Sequence, residues 1–158
     1  MSQTQNLFSI AQQWNQILHE DRIAGDRYMM TYPEAELPTT YEDSPADISP
    51  LYRIFGFFEL LQSSIDFKLI PKKEALEMFL YYFVWWDIAC AKAHYPIRWD
   101  RIGRLKHLRR EMRGLNHYTE MCEWTFKDLG SRLQKRGIPD DQIRDLTSRI
   151  QERLRNSK

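Results

Sequence analysis

The chain has 158 residues, of which 42% are hydrophobic, 28% charged and 13% aromatic, and its formal net charge is +1. That is the balance of a single globular domain, with a core large enough to need no disulfide staples. The charge is unevenly placed: residues 1–97 carry 7 basic and 13 acidic side chains, a balance of −6, and residues 98–158 carry 16 and 9, a balance of +7.

The start, Met1-Ser2-Gln3-Thr4-Gln5-Asn6, has neither a basic segment nor an apolar run, so no secretory leader is expected. From about Asn6 to Met30 a first helix is predicted, because Leu7, Ile10, Ala11, Trp14, Ile17 and Leu18 recur at spacings of three and four. Gly25 weakens its second half and Pro33 ends it. Residues 31–48 are predicted as a loop, punctuated by Pro33, Pro38 and Pro45 and charged only by Glu34, Glu36, Glu42, Asp43 and Asp47. A loop of that length is either pinned across a surface or mobile.

Ser49-Pro50 is a helix start signal, and Leu51, Ile54, Phe55, Phe58, Leu61 and Ile65 give a second helix its buried stripe, over about 50–67. Leu69-Ile70-Pro71 makes a corner. A third helix, about 71–95, contains Phe79-Leu-Tyr-Tyr-Phe-Val-Trp-Trp-Asp-Ile-Ala-Cys-Ala91 and is apolar all round its middle, which marks it as central. Glu77 and Asp87 interrupt it, and no stretch reaches 18 uncharged apolar residues, so no membrane span is expected. A fourth element starts near Trp99-Asp100 and either breaks at Gly114 or continues to about Arg136. Gly137-Ile138-Pro139 is a stop and restart. A last helix runs from Asp140 to about Arg155, with acids in its first turn and arginines in its last.

Sustained period-2 alternation and Asn-Gly or Asp-Gly turns are absent, so no strands are expected. The fold class is therefore all-α: an irregular bundle of five to six helices around the aromatic helix 71–95, with the second and third helices antiparallel.

Chemistry-bearing motifs are scarce. No Glu is followed by His three residues later, and neither a CxxC pair nor HExxH occurs. Asp87, Cys90 and His94, with His117 and Cys122, assemble a metal site only on paper; no metal and no cofactor is expected. Cys90 and Cys122 lie in apolar stretches and read as buried free thiols, which fits a reducing, cytoplasmic setting. There is no Gly-x-Ser-x-Gly and no glycine-rich phosphate loop, so no catalytic residue is assigned.

Residues Leu51–Pro96 loosely resemble a family of small bacterial helical domains of unknown function. In that family an apolar helix with an internal Glu, here Phe57-Phe58-Glu59-Leu60-Leu61, leads through a short apolar turn to a Trp-bearing helix, here with Trp85-Trp86. The resemblance implies a helical fold and carries no activity.

Two functional readings follow. In the first, the chain is a non-catalytic interaction module (an adaptor, assembly factor or subunit), because so few helices would leave part of the aromatic helix uncovered. Tyr82, Trp85 and Trp86 are then the partner surface, with a protein partner or a second copy as occupant. In the second, Lys106, Arg109, Arg110 and Arg113 form a cationic helix face for an anion or nucleic acid, unless the chain's own acidic loop neutralises it. An enzyme with an unfamiliar site ranks third.

Overall fold

The computed structural model describes residues 2–30, 49–93 and 103–156. The acidic proline-containing segment 31–48, and residues 94–102 with Arg98 and Arg101, lie outside the described residues. Among those described there are seven α-helices and no strand. They are α1 (Gln3–Gln12), α2 (His19–Met30), α3 (Ser49–Asp66), α4 (Lys72–Ala93), α5 (Lys106–Arg113), α6 (Tyr118–Lys135) and α7 (Asp140–Asn156). A π-helical turn, Gln13–Ile17, joins α1 to α2, and a 3-10 turn, Gly103–Leu105, precedes α5. The fold is the expected irregular all-α bundle. The first predicted helix is divided at the π turn, and the fourth element takes the broken form of its two expected alternatives, stopping at Gly114 and resuming at Tyr118.

The first helix also begins earlier than periodicity indicates. Ser2 Oγ accepts from the Gln5 amide and Gln5 Oε1 accepts from the Ser2 amide, both at 3.1 Å. This reciprocal pair satisfies two amides that a helix start leaves without partners.

Helices α3 and α4 form an antiparallel pair. Phe57 meets Phe79, Phe58 meets Phe83, and Phe55 meets Trp86, with ring centroids 5.2, 5.4 and 5.8 Å apart. The Trp86 indole N–H donates to the Leu51 carbonyl at 3.3 Å, so its polar atom is satisfied inside the core. Trp14, from the π turn, packs against Phe57, Phe58, Phe79 and Tyr82. Each such ring pair contributes about 0.5–1.5 kcal/mol beyond its area burial. At the corner between α3 and α4, Lys68 takes a left-handed φ of 58°. There α1 clamps the chain: Gln3 Nε2 donates to the Lys68 carbonyl and Asn6 Nδ2 to the Leu69 carbonyl, both at 2.8 Å.

On the other side of α4, α6 and α7 close the core with Leu129, Leu133, Leu146 and Ile150. Gly137, at φ 84°, ends α6 as expected. Its amide and that of Ile138 donate to the carbonyls of Gln134 and Leu133, the paired bonds of a glycine-terminated helix. No helix among the described residues is long and apolar enough to cross a membrane.

Helix α5 docks through polar contacts. Gln62 of α3 donates to the Arg104 carbonyl at 2.6 Å and accepts from the Leu108 amide at 2.8 Å, which caps the start of α5 from a neighbouring helix. Deeper in, Arg109 Nη2 lies 2.9 Å from Asp87 Oδ1, with both side chains buried, and Arg113 Nη2 is 3.8 Å from Asp87 Oδ2. Breaking a buried pair from one side strands the other charge and costs about 3–5 kcal/mol, whereas replacing both members with apolar groups is often close to neutral. Asp87→Ala should therefore lower the free energy of urea unfolding by about that amount. Asp87→Leu combined with Arg109→Met should recover most of the loss. A single variant no less stable than the parent would show that the pair does not hold α5 in place.

Candidate functional site

The outward stripe of α4 is made by Met78, Tyr81, Tyr82 and Trp85, spaced three and four apart. Of the residues expected on a partner surface, Tyr82 and Trp85 are half-buried and keep accessible area. Trp86 does not: it is 0% exposed, because its step along the helix points it between α3 and α4. Sequence reasoning did not select the flanking residues Trp124 and Ile23, which are 51% and 41% exposed, or Met78 at 47%. The Trp124 ring lies 5.5 Å from Tyr81, and Tyr81 lies 5.3 Å from Tyr82, so the aromatic surface is continuous from α6 onto α4. The signal available was Met78 and Tyr81, one helical turn from the chosen tyrosine.

Beside this stripe, α2 and α4 enclose a pocket of ≈ 170 Å³ whose walls include Trp14, Tyr82 and Trp85, with Arg22 and Asp26 of α2. The Arg22 guanidinium carbon sits 5.1 Å from the Trp14 ring centroid and 5.0 Å from that of Tyr82. Both distances are within the range of cation–π attraction. Asp26, one helical turn on, accepts a hydrogen bond from Trp85. Burial raises the pKa of its carboxyl above the ordinary 3.8, and the opposing influence of Arg132, Arg22 and the Trp85 bond does not cancel that effect. Trp14 is 2% exposed, and among the described residues its indole N–H has no hydrogen-bond partner.

Gly25 explains how Trp85 approaches α2. A Cβ there would lie 2.8 Å from Trp85 Cη2, closer than any carbon contact can be. The residue that weakens α2 as a helix is the one that lets the indole lie against its backbone and reach Asp26.

The predicted cationic face is divided. Arg109 is buried on Asp87, and Arg113 is half-buried, 3.5 Å from the Leu154 carbonyl as well as near Asp87. Lys106 and Arg110 are exposed. Arg110 borders a second cleft of ≈ 440 Å³ between the α3–α4 corner and α5. In that cleft Lys72 pairs with Glu111 at 3.0 Å and His107 with Asp66 at 3.6 Å, so acidic groups offset much of its positive charge.

Nucleophile and metal chemistry find little here. Burial pushes the Cys90 thiol well up and the half-buried Cys122 thiol up, opposite to the shift of a reactive thiolate. Among the described residues no three His, Cys, Asp or Glu side chains converge to hold a metal ion, and His94 lies outside them. Compared with family models, with curated proteins and with solved structures, the chain matches none.

Two predictions concern the pocket. A group whose folded-state pKa is raised contributes stability that is present below its unfolded value and is lost as pH rises through its folded value. Asp26→Asn keeps a carbonyl for Trp85 and removes the charge. It should melt above the parent at pH 7, with the gap closing as pH falls through the raised folded-state value toward the ordinary 3.8. A gap that is constant with pH would show that Asp26 titrates as in the unfolded chain. Gly25→Ala should shift the Trp85 indole N–H resonance as the ring is displaced. Its net stability change should stay within about 1 kcal/mol, because alanine's helix preference offsets the repacking. An unmoved resonance would show that Gly25 does not position Trp85.

Proposed function

We propose that this chain is a non-catalytic protein-interaction module, and that its contact surface is the outward stripe of α4 with Trp124 beside it. The observation that carries this reading is the continuity of Met78, Tyr81, Tyr82, Trp85 and Trp124. Tryptophan, tyrosine and methionine are enriched where protein interfaces bury most of their energy. The raised thiols of Cys90 and Cys122 support the same reading from the chemical side, since neither is primed as a nucleophile. Two free cysteines also fit a cytoplasmic setting.

The anion-binding alternative has less support. Of its four cationic groups, Arg109 and Arg113 are turned onto Asp87, which leaves Lys106 and Arg110 facing outward.

Site-specific photocrosslinking tests the interaction reading. A photoreactive phenylalanine at position 78 or 124 should give a saturable product in native extract, whether with a partner or with a second copy. The same group at the exposed Gln151 of α7 should not. Tyr81→Asp should abolish the product while leaving the far-ultraviolet circular dichroism unchanged. Equal labelling from position 151 would refute the assignment of this surface.

A further inference from the structure

We infer that the pocket between α2 and α4 receives an arginine side chain of the protein partner, and that Arg22 occupies the same rings while the partner is absent. The inference rests on the interaction reading above and names the chemistry of the group that this surface recognises.

The pocket presents what a guanidinium requires. Two aromatic faces, Trp14 and Tyr82, converge on one point, and a guanidinium stands there already, 5.1 and 5.0 Å from their centroids. A carboxylate, Asp26, lies in the same wall. A guanidinium taking the place of Arg22 would meet the same carboxylate, whose charged form Arg22 and Arg132 favour and burial opposes. The geometry favours arginine over lysine. A planar, weakly hydrated guanidinium stacks on ring faces and can still donate from its edge to a carboxylate, whereas an ammonium is compact and holds its water strongly.

Arg22 is suited to yield its place. It belongs to a helix entered through a π turn, and its contacts with the two rings are the kind that an incoming arginine reproduces. The exchange therefore loses little, while the partner gains a pocket of ≈ 170 Å³ that opens beside the Tyr81–Trp124 surface. The stacked arginine would act as an intramolecular competitor, lowering apparent affinity in proportion to the fraction of time it fills the cage.

The test uses the full chain labelled with ¹⁵N and three small probes: N-acetyl-arginine amide, its lysine counterpart, and the neutral citrulline counterpart. Indole N–H resonances of Trp14 and Trp85 report occupancy. The arginine probe should shift both, the lysine probe should bind more weakly, and the citrulline probe should leave them unmoved. Arg22→Ala should bind the arginine probe about tenfold more tightly than the parent, the effect of removing a competing cation–π contact. If Arg22→Ala fails to fold, Arg22→Gln removes the charge at similar size and carries the same expectation. Equal shifts with citrulline, no shift in the Arg22 variant, or unchanged affinity on removing Arg22 would each overturn the inference. Crosslinking from position 124 without arginine binding would sink this inference alone. Arginine binding without any crosslinked product would instead sink the interaction reading.

Discussion

Asp87 is 4% exposed in the middle of α4, next to Trp86 and Ile88, and an ion so placed needs a cation beside it. The cation comes from α5, whose Arg109 lies 2.9 Å away. This requirement sets where α5 can lie, and Arg113, one turn further on, then falls within 3.8 Å of the same carboxylate. Arg113 reaches on to the Leu154 carbonyl of α7, while Arg153 of α7 donates to the Ala91 carbonyl of α4 at 2.9 Å. One buried carboxylate thus draws the arginines of α5 toward the C-terminal half of the aromatic helix, where α7 adds an arginine of its own. The same contacts decide what the basic segment is available to do, since a side chain held on Asp87 is not presented to an outside anion.

How much of this was legible in the sequence can be judged residue by residue. On a helical wheel Arg109 lies four residues after Leu105 and three before Met112, so it borders the apolar arc and not the centre of the cationic one. Burial follows that order: Leu105 and Met112 are buried, Arg109 is buried at the edge, Arg113 is intermediate, and Lys106 and Arg110 are exposed. The position was readable, but its meaning required knowing that an unpaired acid waited on another helix. The two helix ends at Gly137 and Lys68 make a similar contrast. Both close with the same pair of backbone bonds and both place a residue at positive φ. Glycine there announces the stop, because it adopts that conformation without steric cost. Lysine does not, so the corner was legible only through Pro71 and the short apolar stretch before it. Likewise, the Ser2–Gln5 capping pair stands in the sequence at the right spacing, but a reading anchored on apolar periodicity began the helix too late.

The aromatic helix shows the limit of composition as a guide. Trp85 and Trp86 are neighbours of the same type, yet one bonds to the Leu51 carbonyl inside the core and the other to Asp26 at the rim. A step of about 100° along a helix separates them. Which of the two faces outward depends on where α3 lies, and that is a property of the packed α3–α4 pair, not of either tryptophan. Gly25 completes the division, because the space left by its missing side chain is what the Trp85 ring occupies.

Several local costs gather at the place where Trp85, Trp14 and Tyr82 meet. The π turn Gln13–Ile17 interrupts regular α-helix bonding. Among the described residues the buried indole N–H of Trp14 has no acceptor, and a buried donor left so costs roughly 1–3 kcal/mol. Burial disfavours the charged form of Asp26. A sequence selected for stability alone has simple remedies for each: delete the inserted residue, replace Trp14 with phenylalanine, and replace Asp26 with asparagine. By contrast, at the α3–α4 interface the Trp86 N–H is satisfied and the rings interlock without a carboxylate among them. Three such costs meeting at one rim, next to an aromatic surface with accessible area, are a pattern expected where local structure serves recognition and not the fold.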